Sequence, residues 1–391
     1  MSGVILFRRS RLNHNSFASI VGALVRAGLP GGFKILLQNH TRTLPKNTRI
    51  IAYSFSTPEL AGVISEVEDL KRRSAGALLV AGGPHPSADP QGTLQAGFDF
   101  VFVGEGEITF PEFVRAAAGG DPGPSIRRAG APIDLDETLH VAPEYGLFPF
   151  AEISRGCNHS CAFCQVSRLF PGPMRHRSPE TVARGVELAI KAGFKRIRYL
   201  TPDAFAYRGL PALLDAVENA GASQQMLGSF PSEVRPDRAD ARLLGLVRER
   251  CLNRTLVLGA QSGSDRVLKL MRRGHTVEQA RAAVTLTVEA GLTPHVDILF
   301  GFPGEQPGER RATLDLATGF LQNTDARLHA HVYLPLPGTT AWPAPPEPLE
   351  PFVIHALRKM QSSGRLDGDW ETQAACGQEI LRWREEGKIL I

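Results

Sequence analysis

Three cysteines, Cys157, Cys161 and Cys164, fall within eight residues in the run Ser154-Arg155-Gly156-Cys157-Asn158-His159-Ser160-Cys161-Ala162-Phe163-Cys164. Thiolates at this density select soft metals, which leaves zinc or an iron–sulfur cluster. A structural zinc site wants a fourth close ligand and usually two paired C-x2-C knuckles. No fourth cysteine lies nearby, and His159 and His176 are the only local substitutes. Three cysteines on a cubane would instead leave one iron open to a cofactor or substrate, and Gly156 is small enough to let backbone approach it.

The rest of the composition sets the frame for that site. The chain has 391 residues, 42% hydrophobic and 21% charged, which is ordinary globular composition with enough apolar material for more than one core. Lys+Arg 44 against Asp+Glu 40 gives +4, dispersed along the chain, so charge makes no case for nucleic acid or a membrane surface. Five cysteines are too few and of the wrong parity for a secreted disulfide framework. No apolar run approaches the ~18 residues of a membrane span. The opening MSGVILFRRSR places its apolar residues before its charges, the reverse of a signal peptide. These features predict a cytoplasmic protein.

Positioning such a site needs a scaffold, and the alternation of apolar runs with amphipathic stretches supplies one. Residues 4–7, 33–38, 49–54, 77–82 and 99–104 read as strands. Phe17, Ile20, Val21, Leu24 and Val25 recur at helical spacing behind Asn15 or Ser16 as cap, and Pro58 opens a second helix to about Arg73. Strands alternating with helices predict a small, doubly wound, flavodoxin-like parallel-sheet domain over residues 1–118. The 39–48 connection is too short for a full helix, so one covering helix is expected to be missing. A Gly/Pro-rich stretch from 118 to 132 opens a linker, 119–149.

From residue 150 the alternation restarts, with strands at 150–155, 196–201, 225–230, 254–260, 294–300 and 328–334. Helices 179–193 and 277–291 both end on glycine, as helix C-termini often do. Six βα units fit the roughly 190 residues of 150–340 where eight would not, so a partial (βα)6 TIM-type barrel is expected. Residues 341–391 begin Pro-rich, end in the charged helical RWREEGK, and read as a packing tail.

The cysteine spacing C-x3-C-x-aromatic-C, with Phe163 at the aromatic position, resembles the radical S-adenosylmethionine (SAM) superfamily. Three further segments are similar to its cobalamin-domain and methylthiotransferase branches: Gly259 to Ser264 with DRVLKLMRRGHT (265–276), DILFGFPGE (297–305) and LPLPGT (334–339). The resemblance spans 150–340 and implies a [4Fe-4S] cluster on the three cysteines, whose open iron chelates SAM for reductive cleavage to a 5′-deoxyadenosyl radical. It further implies that Gln261 and Ser262 lie near SAM, that Leu299 and Gly301 to Gly304 flank the adenine, and that Ser232, Glu233 and Arg235 meet the ribose and carboxylate. The superfamily's Gly-Gly-Glu after the second strand is replaced by Thr201-Pro202-Asp203, which makes Asp203 the candidate there. The plainer reading of Gln261 and Ser262 is a capped turn before a helix.

In the first domain, Ser54 and Ser56 end one strand, Gly82 and Gly83 another (in AGGPHP), and Gly104, Glu105 and Gly106 a third (in GEGE). Glycines along one sheet edge let backbone approach a bulky ligand. GGPH and GEGE at this spacing resemble the cobalamin (B12)-binding domain of one large radical SAM class, as does DLDE at 134–137. The Asp-x-His-x-x-Gly motif of many cobalamin proteins is absent: His14 is near the place, but Leu12 and Phe17 stand at the Asp and Gly positions. A cofactor-free βαβ cap is therefore the alternative to cobalamin binding.

The resemblance implies methylation of an unactivated carbon by a cobalamin-dependent enzyme served by a one-electron reductant such as flavodoxin or ferredoxin. Two alternatives stay open. One is radical rearrangement, cyclisation or other bond formation without cobalamin; the other is a cluster- and corrin-holding sensor or carrier without turnover. Methylthiolation is disfavoured, because that branch brings three more cysteines in its first domain and none precedes Cys157 here. Substrate identity is not readable, and no nucleic-acid module is appended. Cys251 reads as a small buried hydrophobe, while Cys376 is either packing or a second ligand or thiol donor. His329, His331 and Tyr333 share one face of the sixth strand, either meeting substrate or filling core.

Overall fold

The structure is a computed structural model that describes residues 3–73, 76–148 and 150–391. Its first sheet is parallel throughout, in the order β2-β1-β3-β4-β5-β6. The strands are β1 (Gly3–Arg8), β2 (Phe33–Gln38), β3 (Thr48–Ser54), β4 (Leu78–Gly82), β5 (Phe100–Val103) and β6 (Ile126–Arg128). The helices between them are α1 (His14–Ala27), α2 (Leu60–Arg72), α3 (Pro84–Ala88), α4 (Pro90–Gln95) and α5 (Thr109–Ala118). The central strands are near-continuous apolar runs because both of their faces are covered. On one face Ile5, Phe7, Phe100 and Phe102 meet Phe17 and Val21 of α1 and Phe110 and Phe113 of α5. The Phe7 and Phe17 rings cross edge to face at 5.1 Å.

One local expectation is corrected. The residue at the N-cap position of α1 is Asn13, not Asn15 or Ser16, and its side chain makes no capping hydrogen bond to the helix. Its side chain accepts from Ser10 N (2.8 Å) and donates to the carbonyls of Arg8 (2.9 Å) and Ser54 (3.1 Å), tying the helix entry to two strand ends. The linker stretch, 119–149, packs on both domains. It contributes β6 to the sheet edge, and Ala142 and Leu147 enter the first domain's core while Val141 and Phe148 enter the second's. Apolar residues on both sides of a short connection bury on whichever domain they face. Pro149, its last residue, lies outside the described residues, as do Met1 and Ser2 of the opening run.

The second domain runs β7 (Ala151–Glu152), β8 (Ser154–Arg155), α6 (Val166–Leu169), β9 (Arg175–His176), α7 (Pro179–Lys191), β10 (Arg196–Leu200), α8 (Leu210–Asn219), β11 (Gln224–Met226) and α9 (Ala241–Arg250). It continues with β12 (Thr255–Gln261), α10 (Asp265–Leu270), α11 (Val277–Glu289), β13 (Thr293–Phe300), α12 (Pro307–Asn323) and β14 (Arg327–Val332). Strands β7, β10 and β11 are joined to β12, β13 and β14 by parallel bridges Thr201–Ser232 and Val234–Leu258, giving an open barrel. Strands β8 and β9 pair antiparallel and form the two arms of the cysteine loop. Helix ends are where the sequence put them: Ser178 accepts from Thr181 N ahead of α7, and Gly193 and Gly291 adopt φ of 93° and 73° just past α7 and α11.

The tail adds α13 (Pro351–Ser362), β15 (Leu366–Asp367) and α14 (Trp370–Glu385), and it does more than pack on the barrel. Strand β15 pairs with β14 as a short seventh strand. From α14 and the residues after it, Ile380, Trp383 and Ile389 bury against Leu6, Ile51, Tyr53 and Leu60 of the first domain, beside Leu44 from the 39–48 connection. The covering helix missing from that connection is thus supplied from the far end of the chain. Leu390 N donates to Asp89 Oδ2 (2.9 Å) at the same seam.

Candidate active site

The cysteine loop leaves β8 through Gly156, whose φ is +80° and whose missing side chain leaves Phe170 O and Pro173 O at 3.4 Å from a Cβ position. Met174 N donates to Asn158 Oδ1 (2.9 Å), closing the loop on itself. Ala162 N donates to Met271 O (2.8 Å) and Ala341 N to Ala162 O (2.9 Å), which anchors it to the segments after β12 and β14. All three cysteines are free thiols, and all three line one cavity of about 600 Å³. Three thiols on one cavity, with no fourth cysteine among its lining residues, fit the ligand set of an iron–sulfur cluster with one open iron. Burial pushes the Cys164 thiol up to about 11 and raises that of Cys157, so the thiolates need a positive centre between them.

The same cavity is walled from the other side by the first domain. Ser54, Gly82, Gly83, Gly104, Glu105 and Gly106 all face it. A Cβ on Gly104 would come near only Leu169 O, at 3.7 Å, so backbone there is open to a ligand. At Gly83 (φ +97°) a Cβ would press on Ser54 Oγ at 2.8 Å and Phe55 N at 3.0 Å, so only glycine keeps the turn. Ser56 stands back from the cavity and gives its hydroxyl to Glu59 Oε2 (3.0 Å). His14 is not on the cavity wall either; its Nε2 accepts from Arg9 Nε (2.6 Å).

The remaining expected residues divide. Phe163, Glu233, Arg235 and Gln261 (φ +68°) line the cavity beside the cysteines. Burial raises the Glu233 carboxyl, with Arg273 opposing. Ser232, Ser262, Leu299, Gly301 and Asp203 lie outside its wall. The Ser232 hydroxyl donates to Ser229 O (2.9 Å) and accepts from Gly228 N (3.1 Å). Ser262 Oγ accepts from Ser264 N (3.2 Å), which is the turn ahead of α10. Leu299 packs with Phe302 and Tyr333 against Phe163, and Gly301 N donates to Glu305 Oε2 (2.7 Å). Asp203 is buried with Arg238 Nε 2.9 Å from its Oδ2, off the line of a hydrogen bond, and burial raises its carboxyl.

Residues outside the sequence motifs complete the wall and support it. Arg273 donates to Gly259 O (2.8 Å), points Nη1 at Cys161 Sγ (3.4 Å) and lies over the Phe163 ring. Beneath the loop, Arg155 is 5% exposed and meets Glu107 (2.7 Å), Glu152 (2.8 Å) and Glu105 (2.9 Å). Arg175 binds Glu105 (2.7 Å) and Arg177 binds Glu152 (2.6 Å), so three cations and three carboxylates balance in one buried network. Burial works against charge on Glu105 and Glu152, but their arginine partners outweigh it and hold both carboxyls below the usual range. His140, pushed down to about 4 by burial, is neutral and shares a 2.5 Å hydrogen bond with Ser19 Oγ. The carboxylate of Glu105, a residue of the cavity wall, is therefore taken up by arginines and by Ile133 N (2.9 Å). Acidic residues alternating with glycine in GEGE, and arginines flanking the cysteines, were the visible signal for this network.

The family model for the radical SAM superfamily matches residues 151–317, and that for the B12 binding domain matches residues 42–114. An uncharacterized methyltransferase from Synechocystis sp. is 28% identical over 289 residues, 71% of this chain and 52% of the relative. A tRNA-2-methylthio-N(6)-dimethylallyladenosine synthase from Chlorobium phaeovibrioides is 28% identical over 67% of this chain and 59% of its own length. The chain thus spans little more than half of these relatives. Among solved structures, the radical SAM methyltransferase TsrM from Kitasatospora setae, with cobalamin and a [4Fe-4S] cluster bound, superposes with a TM-score of 0.67 at 17% identity, over 87% of this chain and 74% of TsrM. The cobalamin-dependent radical enzyme OxsB gives 0.62 at 15% identity, over 81% and 52%. With a flavodoxin-like sheet ahead of an open barrel, three cysteines on the first barrel loop and both matches in that order, the chain carries a radical SAM superfamily domain over residues 151–317 behind a B12 binding domain over residues 42–114.

Proposed function

We propose that the protein is a cobalamin-dependent radical SAM methyltransferase acting on an unactivated carbon. The observation that carries this reading is the shared cavity, with Cys157, Cys161 and Cys164 on one wall and Gly82, Gly83, Gly104 and Gly106 on the other. When bound, the cluster with SAM supplies radical hydrogen abstraction and the corrin supplies a methyl group.

The chain's own residues have positioning work. Cys157, Cys161 and Cys164 would hold the cluster, and Gly156 keeps the loop's backbone close. Arg273 brings a guanidinium to within 3.4 Å of Cys161 Sγ and helps fix that side chain on the cavity wall. Gln261, Glu233 and Arg235 are the polar groups available to the amino-acid end of SAM. The glycines and Ser54 would take the corrin's edge, with no imidazole needed from His14. Phe230, 67% exposed at the rim, is the aromatic surface that an entering substrate meets. Enclosure between the two domains would shield a reactive intermediate from bulk water.

No helix among the described residues is long and apolar enough to cross a membrane. The methylthiolation named for the Chlorobium relative is not assigned here, since none of residues 1–156 is a cysteine. The test is anaerobic reconstitution with iron and sulfide, with and without hydroxocobalamin, followed by reduction with SAM present. The reading expects cluster absorption, a bound corrin spectrum and 5′-deoxyadenosine. Absence of 5′-deoxyadenosine removes every enzyme reading; its formation without corrin binding leaves only cobalamin-free radical chemistry.

A further inference from the structure

Away from the cysteine cavity, three imidazoles and two carboxylates converge on the last three strands of the barrel. Asp297 of β13 is in register with His329 of β14, which is in register with Asp367 of β15. In-register residues of parallel strands share a face, and period-two alternation adds His295 and His331 to it. Leu299 on the same face packs against Phe163, so the face is the interior of the barrel.

The spacing is not that of hydrogen bonds. His295 Nε2 lies 3.4 Å and His329 Nδ1 3.5 Å from the same atom, Asp367 Oδ1. Those exceed a normal N–H···O bond, and His295 Nε2 is buried with no hydrogen-bond partner. In a tetrahedral shell with bonds of about 2.0–2.2 Å, neighbouring ligand atoms stand roughly 3.3–3.6 Å apart. Both imidazole nitrogens hold that separation from Asp367 Oδ1, and the ligand atoms of the three residues all lie within 4.8 Å of one another. Two imidazoles and a carboxylate are the donor set of zinc-type transition ions rather than magnesium or calcium. His295, His329 and Asp367 keep side-chain exposures of 21%, 36% and 46%, which leaves a path for an ion and a water as fourth ligand.

We propose that His295, His329 and Asp367 form a binding site for a divalent transition ion of zinc type, bridging β13, β14 and β15. The site closes a two-residue edge strand of the barrel onto its neighbours. Strand β15 has two residues and leads through Gly368 into α14, whose helix covers the first domain. A side chain at Gly368 would run into Ala330 O, so the strand already lies as close to β14 as backbone allows. An ion here would fasten the segment on which the domain seam depends.

The test uses cluster-loaded protein, so that iron occupies the cysteines, dialysed against micromolar Zn2+ and assayed for zinc and iron together. One zinc per chain beyond the iron, with at least a tenfold loss of affinity in Asp367→Asn and His329→Ala at unchanged iron, is the expected result. Zinc should also raise Tm of the parent and not of Asp367→Asn. The near-isosteric Asp367→Asn carries the test if His329→Ala folds poorly. No zinc uptake by the parent, or equal uptake by both variants, overturns the site. A loss in His331→Ala as large as that in His329→Ala overturns this choice of ligands.

Discussion

Replacing Arg155 by methionine tests how the two domains and the cysteine loop are held together. The guanidinium is buried and serves three carboxylates. After Arg155→Met, Glu105 keeps Arg175 and Glu152 keeps Arg177, but Glu107, also buried, loses the ion-pair partner that faces it. Leaving one buried charge uncompensated costs about 3–5 kcal/mol. Spread over an unfolding entropy of about 2.1 cal/mol/K per residue, that lowers Tm by roughly 4–6 °C for the whole chain. Adding Glu107→Gln removes the stranded charge, and contacting pairs couple by about 0.5–3 kcal/mol, so the double variant should recover about 0.5–3 kcal/mol. Because Arg155 is two residues before Cys157, the single variant should also retain less iron after reconstitution, and the double variant more than the single. Urea unfolding followed by circular dichroism, with iron analysis, reads both. A cost for Arg155→Met below about 1 kcal/mol, or no recovery in the double variant, would refute the network as the domain clamp.

Alanine at any one of Cys157, Cys161 or Cys164 should abolish cluster absorption and 5′-deoxyadenosine formation, while far-ultraviolet circular dichroism stays unchanged. Gly104→Phe should block hydroxocobalamin uptake, seen by absorption after desalting, with iron content kept, because that glycine opens onto the cavity. Trp383→Ala, removing a ring from the core shared by α14 and the first domain, should cost about 3–5 kcal/mol in urea unfolding. Burial pushes the Glu305 carboxyl up to about 7 from 4.5. Across that window the folded chain keeps a proton that the unfolded chain has released, so this contribution is full below pH 4.5 and is lost as pH rises through 7. Glu305→Gln should therefore gain on the parent by about 3 kcal/mol between pH 4.5 and 7, measured by urea unfolding at both pH values.

The parallel strands were legible because burial on both faces leaves unbroken apolar runs such as 49–54 and 294–300. The cysteine loop was legible because cluster ligation needs fixed spacing. What the sequence concealed is tertiary. The helix covering the 39–48 connection comes from residues 370–385, and nothing local marks Trp383 for the first domain rather than the barrel. Asn13, not Asn15 or Ser16, stands at the entry of α1, where its amide is held by two strand ends at once, a pairing no local pattern shows. Among the candidate residues, sequence placed Gln261 and Ser262 together, but a positive φ at Gln261 separates them, one to the cavity and one to the turn. Glu105 was found as part of GEGE, yet its carboxylate partners lie 50 and 70 residues away, beyond any local pattern.

The account stands on both cofactors sharing one cavity. The most direct measurement is pulsed electron paramagnetic resonance on protein loaded with cluster and cobalamin, reduced so that the cluster and cob(II)alamin are both paramagnetic. The account predicts magnetic coupling between the two centres, lost in Gly104→Phe along with the corrin. Cobalamin bound stoichiometrically with no coupling to the cluster would place it elsewhere and contradict the account.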